Sequence, residues 1–229
     1  MEIKTIANIH TDFPEKFGIP RQSGLIDSLK GRIVFLPEFR NPEALRGITE
    51  FSHLWLIWGF SEVHRKNWSA AVAPPRLGGK KKIGVFATRS PFRPNPTGLS
   101  CVHLDAVEYD KKLGPVLIVS GVDMLDNTPI YDIKPYLAYT DSHPDASGGF
   151  ADDVYSHHLD IVFPDHLLSK LTESEQSAVI QILSQDPRTA FIHDPSRIWG
   201  IAFASWNIRF TVSGNVLTVC SVSPYSGSR

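Results

Sequence analysis

The sequence predicts a mostly β protein with some α structure, folded as a β-barrel or a β-sandwich. Over the first two thirds of the 229 residues, short apolar runs are separated by loops rich in proline and glycine, and helical periodicity is rare. Many short strands with turn signals between them are typical of barrels and sandwiches. The length suits one main domain, residues 1–160, and a smaller C-terminal subdomain, residues 161–229.

Four strands are predicted in the main domain. The aromatic run His53–Phe60 is continuously apolar, which predicts a strand buried on both faces. Ile83–Thr88 and Pro115–Val122 are similar runs. Leu99–Tyr109 alternates apolar with polar residues, so one face of this strand should be exposed.

Helices are predicted at three places. A short helix should begin at Pro42, directly after the N-cap residue Asn41. In the C-terminal subdomain, Pro164–Leu171 and Thr172–Ser184 are predicted helices, and the second opens with a Thr-x-x-Glu capping box. A hairpin of two alternating strands is predicted over Trp206–Val212 and Val216–Val222, followed by a frayed tail at Ser223–Arg229.

The composition predicts a soluble cytoplasmic protein with no metal. No apolar run approaches the ~20 residues that span a membrane. The first residues, Met1–Ile6, include an acid and lack the basic and apolar regions of a signal peptide. Cys101 and Cys220 lie in alternating runs, which favours buried thiols over a disulfide or a zinc site.

The charge distribution predicts a local basic patch. A net charge of −1 argues against indiscriminate coating of nucleic acid. The basic residues concentrate before and within one proline-rich loop, at Arg76, Lys80, Lys81, Lys82, Arg89 and Arg93. A solvated charged loop is the alternative reading of the lysine run.

Two proline-stiffened loops offer groups that could bind a ligand. In the first, Pro20, Arg21 and Gln22 present a fork of donors and an amide, which suit an adenine edge or a carboxylate. The second loop, residues 87–98, contains three prolines and should present Arg89, Arg93 and Asn95 rigidly to a carboxylate, to RNA phosphates or to a base edge. A structural turn in the first loop and pairing with surface acids in the second are the alternatives.

A third loop, Met124–Tyr136, combines acids, a cation and aromatic rings. Asp132 and Lys134 are two residues apart in an extended stretch, so their side chains should lie on one side. A simple ion pair is the alternative to a catalytic role.

Eight motifs occur in order along nearly the whole chain. They are Pro20-Arg-Gln22, Phe51-Ser-His-Leu-Trp55, Pro74-Pro-Arg-Leu-Gly-Gly79, Gly84-Val-Phe-Ala-Thr-Arg-Ser90, Phe92-Arg-Pro-Asn-Pro96, Asp132-Ile-Lys-Pro-Tyr136, Pro144-Asp-Ala146 and Gln185-Asp-Pro-Arg188. In these motifs the chain resembles the TrmO family, also described as TsaA-like, whose members are S-adenosylmethionine-dependent tRNA (adenine-N6)-methyltransferases.

The chain departs from the family pattern at two points. Asn127 stands where the family usually has glycine, and asparagine also tolerates left-handed backbone angles. The segment Asp186–Phe191 has threonine and phenylalanine where the family often has proline and tyrosine, which leaves the role of that segment open.

The resemblance implies a single-sheeted β-barrel with a small C-terminal α+β subdomain, working as a homodimer. The absence of a Gly-x-Gly-x-x-Gly turn agrees with a fold other than the Rossmann type. The implied reaction methylates N6 of threonylcarbamoyladenosine beside the tRNA anticodon. The implied S-adenosylmethionine contacts are Pro20, Arg21, Gln22, Ser61, Glu62, Arg89, Leu99, Leu125, Asp126 and Asn127.

The chemistry requires alignment of the methyl group and removal of a proton from N6. We expect Asp132 or Tyr136 to accept this proton and Lys134 to tune the base or to hold the substrate carboxylate. Contacts with the anticodon loop of tRNA are predicted for Arg76, Lys80, Lys81, Lys82, Arg93 and Asn95.

Two other functions compete with methyl transfer. One is a non-enzymatic tRNA-binding β-barrel module that uses the same basic loop. The other is a hydrolase that uses Asp132 and Lys134, although no nucleophile elbow or metal-ligand set accompanies them.

Overall fold

A closed barrel and a separate four-stranded sheet form the framework of the protein. The structure is a computed structural model and describes residues 2–63, 67–74, 77, 81–154, 157–188 and 194–227. Its strands are β1 (Ala7–Thr11), β2 (Lys30–Phe35), β3 (His53–Gly59), β4 (Ala71–Val72), β5 (Ile83–Gly84), β6 (Thr97–Asp110), β7 (Gly114–Ser120), β8 (Thr128–Pro135), β9 (Asp160–Val162), β10 (Trp199–Phe203), β11 (Trp206–Ser213) and β12 (Val216–Pro224).

The barrel is a single antiparallel sheet in the order β1-β2-β7-β6-β3-β8, closed by pairing of β8 with β1. The predicted mostly β fold with a barrel domain is therefore confirmed. Alternate residues point inward, such as Leu54 and Leu56 of β3 and Val102 of β6, and all three are almost fully buried. Closure leaves no free edge in this sheet, which protects it from unwanted strand pairing.

Strand β3 of the barrel differs from its prediction in one respect. In β3 the residues alternate between buried and half-buried instead of being buried on both faces. Bulky residues such as Trp55 and Ile57 on the outer face made the run look continuously buried. The alternation predicted for Leu99–Tyr109 is confirmed in β6, where Val102 and Leu104 are buried and His103 is exposed.

Several other strands were missed or mistaken in the sequence. The predicted strand Ile83–Thr88 stops after β5, because Val85–Ala87 forms a 3-10 turn. Pro115–Val122 matches β7 with slightly shifted ends. The strands β1, β2 and β10 were not predicted, and most of the predicted loop Met124–Tyr136 is strand β8. Proline at both ends of β8 concealed its strand character.

The C-terminal sheet has the order β10-β11-β12-β9, with β9 parallel to β12. The predicted hairpin is confirmed as β11 and β12, but Ser223 and Pro224 belong to β12 and are not frayed. Cys220 on β12 is exposed and Cys101 is half-buried, so the prediction of buried thiols is wrong for Cys220.

Helices are few and short. They are α1 (Ala138–Asp141), α2 (Asp165–Leu168), α3 (Glu173–Ser184) and several 3-10 turns, including the predicted one at Pro42–Leu45. The capping box is present, with the Thr172 side chain accepting from Glu175 N and the Glu175 side chain accepting from Thr172 N. No helix in the described ranges is long and apolar enough to cross a membrane.

The barrel and the C-terminal sheet share one hydrophobic core. Phe13, which follows β1, packs edge to face on Phe203 of β10 with ring centroids 5.5 Å apart. Ala204 N donates to Asp12 O at 2.8 Å across the same junction. The C-terminal sheet is thereby held against the loop that follows β1, and the division between residues 160 and 161 stays a prediction.

Candidate active site

A cavity of about 1000 Å³ opens at one end of the barrel, where β3 ends and β6 begins. Four loops meet there, because the strands that carry them all reach this end. The residues that line the cavity are Lys16, Ile19, Pro20, Arg21, Gln22, Ile57, Trp58, Gly59, Phe60, Ser61, Glu62, Val63, Arg89, Pro91, Phe92, Arg93, Thr97, Gly98, Leu99, Asp123, Leu125 and Thr128.

Two glycines shape the cavity wall. A Cβ on Gly98 would overlap with the indole ring of Trp58, its partner across β3 and β6. A Cβ on Gly59 would overlap with the phenol of Tyr131. Both positions therefore require glycine for close packing of an aromatic ring against the strand.

A chain of hydrogen bonds leads from this wall to Asp123, a half-buried acid. Trp58 Nε1 donates to Ser100 Oγ at 2.9 Å, and Ser100 Oγ donates to Asp123 Oδ1 at 2.6 Å. Burial raises the pKa of the Asp123 carboxyl to about 6, although hydrogen bonds from Ser100 and the Ser23 backbone and the charge of Arg89 act in the opposite direction.

Asp123 was not among the residues predicted from the sequence. It directly follows the predicted strand Pro115–Val122, and the candidate loop was taken to begin one residue later, at Met124. A carboxylate at the end of a buried strand was the signal that could have found it.

Guanidinium groups dominate another part of the cavity. An Arg89 guanidinium N–H donates to Gln22 Oε1, and Gln22 Nε2 donates to Arg21 O. The bond from Arg89 to Gln22 joins the two proline-stiffened loops that the sequence singled out. Arg21 Nη2 donates to Arg188 O at 3.4 Å, so the Gln185–Arg188 motif contacts the cavity rim.

The Gln185–Arg188 motif also holds the C-terminal part against the barrel. Gln185 Nε2 donates to Leu25 O at 3.4 Å. Arg188 makes two bonds of 2.8 Å to the Asp186 carboxylate, which fixes the backbone whose carbonyl Arg21 contacts. Of the departing segment Asp186–Phe191, residues 189–191 lie outside the described residues.

Eight of the ten predicted cofactor contacts line the cavity, namely Pro20, Arg21, Gln22, Ser61, Glu62, Arg89, Leu99 and Leu125. Asp126 and Asn127 follow Leu125 but do not line it. Asp126 Oδ1 accepts from Thr11 N at 3.1 Å, which ties it to β1. Asn127 has φ 62°, so asparagine adopts the left-handed conformation that the sequence comparison called for.

The predicted catalytic residues lie outside the cavity, on the outer face of the barrel. Asp132 and Lys134 form an ion pair of 3.0 Å on β8. Asp132 pairs with Ile57 across β3, and Ile57 lines the cavity, so Asp132 lies beside its mouth. Tyr136 packs on Trp55, with ring centroids 5.7 Å apart. We call Asp132, Lys134, Tyr136 and Trp55 the outer strip.

The predicted RNA contacts differ in their surroundings. Lys81, Lys82 and Asn95 are exposed, whereas Arg76 and Lys80 lie outside the described residues. Arg93 donates to three backbone carbonyls, Ser90 O, Val85 O and Thr88 O, so it braces its own loop. This bracing favours a structural role for Arg93, and its RNA contact stays a prediction.

An exposed aromatic pair near the basic loop was missed. Phe86 and Trp68 stack with ring centroids 6.2 Å apart, and 78% and 51% of their surfaces are exposed. An apolar ring that remains this exposed is a candidate for stacking on a partner.

Comparison with known proteins covers nearly the whole length of the chain. The family model described as the tRNA-methyltransferase O N-terminal domain matches residues 8–142, and the TrmO C-terminal domain matches residues 156–225. The tRNA (adenine(37)-N6)-methyltransferase of Escherichia coli K12 is 34% identical over 97% of this chain and 98% of its own length.

Two further relatives bear on the site. A Pyrococcus abyssi protein named "Probable S-adenosyl-L-methionine-binding protein" is 40% identical over 58% of this chain and 67% of its own length. The crystal structure of TrmO from Pseudomonas aeruginosa has a TM-score of 0.77 at 30% identity, covering 97% of this chain and 98% of that one. The chain therefore belongs to the tRNA-methyltransferase O family.

Proposed function

We propose that the protein transfers a methyl group from S-adenosylmethionine to N6 of adenine 37 in tRNA that carries a threonylcarbamoyl group on that base. The observation that carries this proposal is the cavity at the barrel end, where guanidinium groups and a half-buried carboxylate face a single space of about 1000 Å³. S-adenosylmethionine carries a carboxylate, an ammonium and a sulfonium, so its charges complement such a site. The names of the Escherichia coli and Pyrococcus abyssi relatives support the same reaction and cofactor.

The cavity residues fit the parts of the methyl donor. Arg21 and Arg89 would hold its carboxylate, because a guanidinium offers paired donors in the geometry of a carboxylate. The apolar side chains of Leu99 and Leu125 line the same cavity and would cover the adenine. S-adenosylmethionine supplies a methyl group that is already activated. The task of the protein is therefore alignment, an effect worth up to ~7–11 kcal/mol in favourable cases.

The outer strip would receive the adenine of tRNA. The attacking N6 is bonded to a purine ring and a carbonyl, so its lone pair is poorly available and its proton is relatively acidic. Asp132 or Tyr136 would accept that proton as the N–CH₃ bond forms, and Lys134 would tune Asp132 through their 3.0 Å ion pair or hold the substrate carboxylate. Trp55, beside Tyr136, offers a ring on which an unpaired base can stack.

The basic loop would hold the anticodon stem and loop. Lys81 and Lys82 are exposed and would neutralise phosphates, and the exposed rings of Phe86 and Trp68 would stack on unpaired bases. Such a protein would act in the cytoplasm, and we propose that it works there as a homodimer.

The test is methyl transfer in vitro. The purified protein is incubated with methyl-labelled S-adenosylmethionine and with tRNA that carries or lacks the threonylcarbamoyl group, and digestion locates the label. We expect label on N6 of adenine 37 in the modified tRNA alone. Label on the unmodified tRNA would contradict the proposed substrate, and no label with folded, donor-binding protein would favour a tRNA-binding module that is not an enzyme.

A further inference from the structure

The two acids of the cavity have different surroundings. Glu62 faces Lys16, whose Nζ lies 3.8 Å from the Glu62 carboxylate and donates to Glu62 O at 3.0 Å. Asp123 forms no ion pair within 4.0 Å with any described residue, although it is the more enclosed of the two and the charge of Arg89 acts on it from a greater distance. An enclosed carboxylate without a close cation is unfavourable.

The neighbours of Asp123 nevertheless favour its charged form. Ser100 Oγ donates to it at 2.6 Å, and the Ser23 backbone N–H donates as well. Trp58 Nε1 donates to Ser100 Oγ, which directs the hydroxyl proton of Ser100 toward the carboxylate. Donors arranged in this way fix the carboxylate in position and stabilise its negative charge.

A positive charge inside the cavity would complete this arrangement. The cavity wall supplies guanidinium groups at Arg21 and Arg89, but neither makes an ion pair with Asp123, and both would face the carboxylate of the donor. The missing cation can therefore come from the ligand. A pKa of about 6 leaves Asp123 mostly ionised at neutral pH, ready for such a partner.

We propose that Asp123 is the counter-charge for the cationic head of the methyl donor and thereby selects a charged donor over neutral adenine nucleosides. This inference rests on the proposed function, because it takes the cavity to be the donor site. The cation is the sulfonium, the α-ammonium or both, and one set of ligands distinguishes them. Because Asp123 is largely enclosed, an ion pair with it contributes more to affinity than it would at an exposed site.

The test compares three adenine nucleosides by isothermal titration calorimetry at pH 7.5 with wild-type protein and Asp123→Asn. S-adenosylmethionine carries sulfonium and ammonium, S-adenosylhomocysteine carries only the ammonium, and methylthioadenosine carries neither. Asp165→Asn, at an exposed aspartate of the C-terminal part, removes the same charge outside the cavity. We expect Asp123→Asn to weaken S-adenosylmethionine at least about tenfold, to leave methylthioadenosine unchanged, and Asp165→Asn to change neither.

S-adenosylhomocysteine identifies the cation. If Asp123→Asn weakens S-adenosylhomocysteine as much as S-adenosylmethionine, the ammonium is the partner of Asp123. If the affinity for S-adenosylhomocysteine is unchanged, the sulfonium is the partner. Equal losses for S-adenosylmethionine and methylthioadenosine would overturn the inference, since they would mark a general disturbance of the site. Unchanged S-adenosylmethionine affinity would overturn it too, and a lower transfer rate in that variant would then make Asp123 a proton acceptor. Failure of the wild-type protein to bind any of the three would instead reject the proposed function.

Discussion

The cavity and the outer strip are neighbours, yet they are built in different ways. The cavity is assembled by loops from distant parts of the chain, namely the loop between β1 and β2, the segments that follow β3 and precede β6, and the loop between β7 and β8. The outer strip is made largely by alternate residues of one strand, β8, and by Trp55 on its neighbour. The two regions meet at Ile57, which lines the cavity and pairs with Asp132. This difference suggests a division of labour in which the cavity binds the donor and the strip handles the acceptor.

Loss of the proposed general base in the outer strip should have the largest effect, which is on the rate of methyl transfer. Asp132→Asn or Tyr136→Phe, whichever removes the proton acceptor, should lower the rate of methyl transfer by roughly 100- to 10,000-fold, the range for general base catalysis. Single-turnover rates measured across pH with saturating donor and tRNA would show it. Rates that keep both their size and their pH profile in both variants would exclude the strip from the chemistry.

Gly98→Ala should lower the free energy of unfolding, because it overpacks the cavity wall. Its methyl group would overlap with the Trp58 ring, and overpacking of this kind costs up to about 3 kcal/mol of unfolding free energy. Denaturant unfolding measures the loss. The matched control is Gly84→Ala, because a Cβ at Gly84 meets nothing within 4 Å and this backbone has an ordinary φ of −56°. Equal stability of the two variants would show that Trp58 is not held against Gly98.

Without bound donor, Asp123→Asn should raise the free energy of unfolding by an amount that depends on pH. Burial raises the pKa of Asp123 to about 6 in the folded state, so folding favours the neutral carboxyl. The contribution of this group to the free energy of unfolding is fully present below its unfolded pKa of ~3.9 and is lost as the pH rises through 6. The variant should therefore exceed the wild type by roughly 2 kcal/mol at pH 7.5 and gain little at pH 4. Denaturant titrations at both values test this. A gain that is the same at both values would contradict the raised pKa.

Removal of two exposed lysines should have the smallest effect. Lys81→Ala with Lys82→Ala should reduce the slope of log K for tRNA binding against log salt concentration by about 1 to 2 in magnitude, since each phosphate contact releases about one counterion. The exposed pair Lys111 and Lys112, on the turn between β6 and β7, provides the matched control. Equal slopes for both double variants would place the tRNA elsewhere.

Several residues that line the cavity were singled out in the sequence, although Ser61, Glu62, Leu99 and Leu125 were named only through the family resemblance. Arg21, Gln22 and Arg89 were recognisable because prolines stiffen the loops that carry them, and these loops do meet in the structure. Strand β8 was taken for a loop because its prolines and charged residues conceal the alternation. No local pattern reveals which strands lie side by side, since pairing depends on closure of the whole sheet.

The surroundings of individual charged side chains were beyond the reach of the sequence. Asp123 reads as an ordinary acid after a strand, and only the folded chain places Ser100, Ser23 and Trp58 around it. Arg93 reads as a free cation, yet the folded loop directs its guanidinium to three carbonyls of that loop. The Asn127 turn was predictable because it depends only on the backbone preference of one residue.

The division of labour is tested most directly by the dissociation constant of S-adenosylmethionine in two variants, Arg89→Ala and Asp132→Asn. Calorimetry without tRNA should show a loss of roughly tenfold or more for Arg89→Ala, because a charge-assisted contact is removed, and no change for Asp132→Asn. A weakened donor affinity in Asp132→Asn, or an unchanged one in Arg89→Ala, would contradict the assignment of the donor to the cavity and of the acceptor to the strip.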